Sequence, residues 1–218
     1  MALSYYIVYK PFGVLSQFSG EGNTLGMLSD FPSDVYPVGR LDKDSEGLLL
    51  LTNDTRLNHL LLDPNYSHER TYWVQVEGEI TDQALKDLES GVEISVNKKI
   101  HKTLKAKAER LKDVARLLPE RDPPIRFRKN VPDSWIAITL KEGKNRQVRK
   151  MTAAVGFPTL RLVRWSLEGL SIKGFGVGDV RLLDGTTLYP TLGISGKGQT
   201  SEGIKKPQYQ KTKKKKRY

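Results

Sequence analysis

The sequence predicts an α+β protein built on a largely antiparallel or mixed β-sheet with flanking helices. Three observations carry the prediction. Short apolar or β-branched runs recur along the chain, single short helical patterns separate them, and helix-capping residues stand at the boundaries. Tyr5-Tyr6-Ile7-Val8-Tyr9 is aromatic and β-branched and stops before Pro11, so it reads as a strand. Leu48-Leu49-Leu50-Leu51, between Gly47 and Thr52-Asn53-Asp54, has the length of a core strand buried on both faces, although periodicity alone equally allows a buried helical turn. Thr55 to Leu62 follows as a helix, with Asp54 as N-cap and Pro64 beyond its end. Thr71 to Glu77 alternates as a strand. Thr81 caps a helix through Ser90 that Gly91 ends, with Leu85 and Leu88 facing inward. Ser134 to Leu140 is a further strand, Arg146 to Val155 a helix between Asn145 and Gly156, and Leu160 to Leu167 another strand.

The chain of 218 residues is long enough for one domain of two subdomains. Residues 1–190 are read as the globular body and 191–218 as a basic, disordered tail. The net charge of +11 favours a polyanionic partner, through phosphate neutralisation and counterion release. Most of that charge is local. Lys205 to Tyr218 contributes +8, which leaves +3 for residues 1–204. Recognition of a particular polyanion shape must therefore come from placed residues in the body. Cysteine is absent, which excludes a disulfide framework and a thiolate zinc site. The start, Met1-Ala2-Leu3-Ser4-Tyr5-Tyr6, lacks the pattern of an export signal, and no apolar run approaches the ~20 residues that span a bilayer. A cytoplasmic monomer with no membrane partner is the expectation.

The stretch Gly39-Arg40-Leu41-Asp42-Lys43-Asp44-Ser45-Glu46-Gly47 places charges directly before the leucine run. A loop anchored by a buried segment can hold a carboxylate in one orientation, which makes Asp42, Asp44 and Glu46 candidates for chemistry. The alternative is a solvated turn. A calcium-binding reading fails, because leucines fill the later ligand positions and Asn53 stands where a bidentate glutamate is needed. Gly174-Phe175-Gly176-Val177-Gly178 lacks the third glycine of a dinucleotide fingerprint at its offset, and Gly196-Lys197 lacks the remainder of a phosphate-binding loop. His59, His68 and His101 are scattered. Neither a nucleotide cofactor nor a metal is expected.

Four segments, in order, resemble the motifs of the pseudouridine synthases of the RsuA and RluB/RluE/RluF group. They are Lys10-Pro11-Phe12-Gly13-Val14; Gly39 to Asp42 with Asp44 to Leu49; Arg70-Thr71-Tyr72-Trp73-Val74; and Glu142 to Met151. Asp122 to Lys129, with Pro132 and Ser134-Trp135, resembles the RluE branch. The resemblance covers roughly residues 4 to 190. It implies the pseudouridine synthase fold, two subdomains about a central sheet with an RNA cleft between them, and a uridine in large-subunit ribosomal RNA as substrate. Several relatives carry an S4 domain before the first motif; here that motif begins a few residues in, so no S4 domain is expected.

The resemblance also implies roles. Asp42 matches the essential aspartate, Tyr72 the tyrosine that stacks on the target uracil, and Arg149 the basic residue that would pair with Asp42. Arg40 matches the arginine that helps occupy the place of the extruded nucleotide. Lys144, Asn145 and Arg146, near a helix N-terminus, suit phosphate contacts. Lys10 belongs to the same RNA-contacting set, or supports the loop of Asp42 together with Pro11. Converting uridine to pseudouridine breaks the bond from ribose C1′ to N1 and rejoins C1′ to C5 without redox change, so a carboxylate suffices. Attack on C1′ and removal of the ribose 2′ proton both remain open. A binding protein without catalysis would not need Asp42, Tyr72 and Arg149 together. A glycoside hydrolase would need paired acids ~5 to 9.5 Å apart, and would release free uracil.

Overall fold

The computed structural model describes residues 3–125 and 131–194. In chain order its elements are β1 (Tyr5–Lys10), β2 (Tyr36–Pro37), β3 (Glu46–Thr52), α1 (Thr55–Leu62), β4 (Arg70–Glu77) and α2 (Asp82–Ser90). Then come β5 (Glu93–Val96), β6 (Lys99–Lys102), β7 (Lys107–Leu111), β8 (Asp133–Leu140) and α3 (Gln147–Ala154). The last are β9 (Thr159–Leu167), β10 (Leu170–Ser171), β11 (Val180–Leu182) and α4 (Gly185–Thr191). The leucine run is a strand, and every residue of β3 is buried. Removing each of those leucines from water contributes about 1.5–3 kcal/mol.

The main sheet is mixed, in the order β11-β1-β3-β9-β4-β8-β7, with β2 beside β3 and β10 beside β9. Its parallel pairing is β3 with β9; the others are antiparallel. That pairing is brief, Glu46 opposite Val163 and Gly47 opposite Arg164, and it is the seam between two halves of the sheet. Gly47 makes the seam possible. With φ of 104° a Cβ there would lie 2.3 Å from the carbonyl oxygen of Arg164, so only glycine lets the strands close.

Side chains alternate across a strand, and the core follows. Ile7, Tyr9, Leu48 and Leu50 face one side, with Trp73, Ala137 and Val163 from the other half and Leu57, Leu61, Leu188 and Leu192 from α1 and α4. The opposite side holds two separate cores. One gathers Val8, Val14, Leu25, Leu49 and Leu51; the other gathers Val74, Ile136, Ile138 and Leu162 under α2 and α3. The two predicted subdomains are thus two halves of one sheet, continuous on one face and divided on the other.

The predicted caps hold. Asp54 accepts from the amides of Arg56 and Leu57, Thr81 from that of Ala84, and Gly91 closes α2 at φ 87°. Helix α3 starts one residue later than predicted, because Arg146 adopts a left-handed conformation, φ 52°. The hairpin β5–β6, strands β7, β10 and β11, and helix α4 were not legible. Lys-Ile-His-Lys and Lys-Ala-Glu-Arg-Leu give no apolar alternation, and Pro190 lies inside α4. Helix α4 runs to Thr191, one residue past the predicted end of the body. The basic stretch 195–218 and residues 126–130, which take in the last four of the Asp122–Lys129 segment, lie outside the described residues.

Candidate active site

The divided face of the sheet opens as a cleft of about 670 Å³, within the range of small-molecule sites. Asp42, Arg40, Tyr72, Lys144, Asn145 and Arg146 all line it. Three of the four motif segments, far apart in sequence, meet there; the first contributes no lining residue.

The loop before β3 is held from below by the first motif. The Lys10 ammonium donates to the carbonyls of Pro11 and Val14, at 2.8 and 2.7 Å. The Gly13 amide donates to the carbonyl of Lys43 at 2.8 Å, and Ser16 Oγ donates to the Leu41 carbonyl while accepting from its amide. The Ser45 amide closes the turn by donating to the Asp42 carbonyl at 3.0 Å. These bonds fix the backbone on both sides of Asp42. Lys10 is 0% exposed, so the expectation that it touches RNA is corrected: it supports the loop. Burial lowers its pKa to about 8, although the charges of Glu46, Asp44 and Asp42 act in the opposite direction.

Above the loop stands the N-terminus of α3. Arg146 forks onto Asp44, with Nη1 to Oδ1 at 3.0 Å and Nη2 to Oδ2 at 2.8 Å, and Nη1 also reaches Asp42 Oδ2 at 3.4 Å. Arg149 donates from Nη2 to the Asp44 carbonyl at 2.6 Å and brings Nε within 3.5 Å of the Asp44 carboxylate. The expected Arg149–Asp42 pair is therefore corrected. Arg149 grips Asp44, and the guanidinium nearest Asp42 is that of Arg146, whose reading as a phosphate contact changes accordingly. The cause is local: α3 begins with Arg146 in the left-handed region, which turns its side chain back over the loop. Hydrogen bonds from Arg146, then the charge of Arg149, hold the Asp44 carboxyl below its usual range. Asp42 Oδ1 has no hydrogen-bond partner among the described residues and faces the cleft.

Glu46 is not part of this cluster. It opens β3, after the turn that carries Asp42 and Asp44, and its carboxylate is buried against β9, where Arg161 holds it at 2.8 Å through both Nε and Nη2. Of the three acids, Asp42 lines the cleft, Asp44 is held beside it by Arg146, and Glu46 is locked in the core.

Tyr72 reaches the cleft through a register shift in β4 between Thr71 and Tyr72, opposite Arg164. Bulges of this kind re-aim side chains beside active sites. Arg164 was missed by sequence reasoning. It lies buried beside Tyr72 and donates from Nε to the Leu48 carbonyl at 2.6 Å, and burial lowers its pKa. The available signal was two arginines inside an otherwise apolar strand. Ser16, Glu142 and Gln147 were missed as well, and single polar residues of that kind carry no periodic mark. Arg40, Lys144 and Asn145 are exposed at the rim. Among the described residues no cluster of His, Cys, Asp and Glu could hold a metal ion, and no helix is long and apolar enough to cross a membrane.

The arrangement is a fixed carboxylate in an arginine-lined cleft, faced by a tyrosine, on a mixed sheet split by a parallel seam. The chain belongs to the RNA pseudouridylate synthase family, whose pattern matches residues 4–154, and its class is that of an isomerase. Within that family it is 49% identical over 176 residues to the ribosomal large subunit pseudouridine synthase E of Vibrio vulnificus, covering 79% of this chain and 72% of that protein. It is 48% identical over 183 residues to the same-named enzyme of Xanthomonas campestris, covering 80% and 95%. The ribosomal large subunit pseudouridine synthase B of Bacillus subtilis is 35% identical over 182 residues, covering 82% and 67%. A crystal structure of a pseudouridylate synthase superposes with a TM-score of 0.71 at 24% identity, covering 87% of this chain and 74% of that one, and so shares the fold.

Proposed function

We propose that this chain isomerises one uridine of large-subunit ribosomal RNA to pseudouridine, with Asp42 as the reactive carboxylate, acting as a monomer in the cytoplasm. The observation that carries the reading is the Asp42 carboxylate itself. Its backbone is clamped by the first motif, one oxygen is steadied at 3.4 Å by Arg146, and the other is free toward the cleft. The substrate class follows from the relatives named for the large ribosomal subunit.

The target uridine leaves its stack and enters the cleft, which costs a few kcal/mol. Arg40 at the rim fills part of the vacated place, Lys144 neutralises a neighbouring phosphate, and the Asn145 amide donates to one. Tyr72 stacks on the uracil. Asp42 acts either on C1′ or on the ribose 2′ proton; the C1′–N1 bond breaks, the uracil turns, and C1′ joins C5. The proton of C5 leaves and N1 gains one, so the reaction is an isomerisation with no co-reactant. Arg146 and Arg149 work through Asp44: they hold the loop so that Asp42 keeps its aim. The basic segment 191–218 adds sequence-independent affinity for RNA.

The experiment is to incubate the protein with unmodified large-subunit ribosomal RNA and map pseudouridine along it. One new pseudouridine with no free uracil is the expected result. Release of uracil would instead mark a hydrolase, and no modified position would remove the reading.

A further inference from the structure

The hairpin β5–β6 forms its own two-stranded sheet, outside the main one. Its inner face turns Ile94 and Val96 toward α3, in the core that also contains Val148 and Met151. Its outer face and tip are unusual in composition. Ile100 and Lys102 stand on the outer face with Ser95 and Glu93, Lys98 and Lys99 at the tip, and Lys105 just beyond β6; all four lysines are exposed, and none of their side chains forms an ion pair or hydrogen bond among the described residues. Between them Ile100 is 77% exposed and Leu104 56%, two of the largest exposures of apolar side chains in the described chain.

This surface is tied to the cleft through one side chain. Glu142 accepts from the Leu104 amide at 2.8 Å, lies 3.1 Å from His101 Nε2, and accepts from Gln147 Nε2 at 2.7 Å. Gln147 Oε1 in turn accepts from the Lys144 amide at 2.9 Å. The hairpin and the segment carrying Lys144, Asn145 and Arg146 are thus one clamped unit, and Glu142 itself lines the cleft.

We propose that the outer face of this hairpin is a second RNA-docking surface, which grips the backbone of a paired segment flanking the uridine in the cleft. The proposal rests on the reading of the cleft as an RNA site. Charge complementarity names the occupant: four lysines in eight positions, against the single acid Glu93, suit a phosphate backbone. The composition also separates paired from single-stranded RNA. Single strands are held by aromatic stacking platforms, and residues 93–107 contain no Phe, Tyr or Trp. Helical RNA is held by shape and by phosphate and ribose contacts, which lysines with two intervening aliphatic side chains can supply. A helix seated here leaves its neighbouring nucleotide beside the unit that carries Arg146, so the hairpin sets where on the RNA the cleft falls.

The test uses the full chain and a variant with Lys98, Lys99, Lys102 and Lys105 each changed to Gln. All four are exposed, so folding is unaffected. Affinity for a naked fragment of large-subunit ribosomal RNA is measured over a salt series, together with the single-turnover rate at saturating enzyme. Binding is read independently of turnover, so failure of the proposed reaction would not be mistaken for failure of the docking surface. The variant should bind at least about tenfold more weakly at low salt, and its log–log salt slope should be shallower by about 3. The saturated rate and the modified position should be unchanged. Duplex RNA of unrelated sequence should compete with the fragment for wild type more strongly than for the variant. Ile100→Ser should weaken binding without changing the salt slope. Unchanged affinity and slope would overturn the proposal. So would a loss confined to ribosomal particles and absent on naked RNA, which would assign the face to a protein, and so would a loss of the saturated rate.

Discussion

Two acid–arginine forks stand two residues apart in one loop, and they are opposites. Asp44 with Arg146 lies beside the cleft that Arg146 lines, with side chains 37% and 41% exposed; Glu46 with Arg161 lies in the core, 2% and 6% exposed. Their distances hardly differ: 3.0 and 2.8 Å in the first, 2.8 Å twice in the second. Geometry therefore does not separate their roles; solvent does. An exposed pair contributes about 0–1 kcal/mol to stability, whereas removing one partner of a buried pair leaves a desolvated charge and costs about 3–5 kcal/mol. The cleft fork is free to serve chemistry because the fold does not depend on it. The buried fork does the reverse, fastening β3 to β9 at the seam that creates the cleft.

The largest break in this comparison is Arg161→Met. It should lower unfolding stability by about 3–5 kcal/mol, measured by denaturant titration. The double variant Glu46→Leu with Arg161→Met should recover most of the loss, since apolar side chains replace a buried ion pair at little cost. Failure of the double variant to recover would mean that the pair holds the seam by its directional bonds rather than by neutralising charge.

Lys10 sharpens the comparison, being a buried cation beneath exposed acids. Its pKa in the folded protein is about 8, against about 10.4 when unfolded. Between those values the unfolded chain binds a proton that the folded chain has released, so Lys10 makes stability rise with pH through that window. Comparing wild type with Lys10→Met from pH 7 to 11 should show wild type gaining about 3 kcal/mol relative to the variant. A flat difference would show that Lys10 stays charged in the fold.

Smaller in stability, yet large in rate, is Arg146→Met. Stability should fall by no more than about 1 kcal/mol, while the single-turnover rate falls on the order of 10²-fold because the loop of Asp42 loses its aim. Lys144→Met, which removes an unpaired charge, should weaken RNA binding and spare the saturated rate. Equal, purely binding losses in both variants would reduce Arg146 to a phosphate contact.

Much of this was legible in the sequence, and what was not has a physical reason. The leucine run, the caps at Asp54 and Thr81, and the alternation of β4 and β8 are local signals, and the structure repeats them. The hairpin β5–β6 carries no such signal, since its lysines face water and its fold rests on Glu142, forty residues away in the chain. Asp42, Tyr72 and Arg40, singled out by resemblance, all line one cleft. The pairing of Arg149 was not, because the left-handed turn at Arg146 that decides which guanidinium reaches which acid is a backbone feature without a sequence mark. Strand parity could not have separated Glu46 from Asp44, since residues two apart share a face; the turn at Lys43-Asp44 before β3 separates them.

The central claim is that the cleft acid Asp42 carries the reaction. Its most direct test is the single-turnover formation of pseudouridine by Asp42→Asn, with RNA affinity measured on the same preparation. The amide keeps the volume but cannot act as nucleophile or base, so the account predicts no detectable pseudouridine, near-wild-type affinity and unchanged stability. Substantial turnover by folded Asp42→Asn would contradict it.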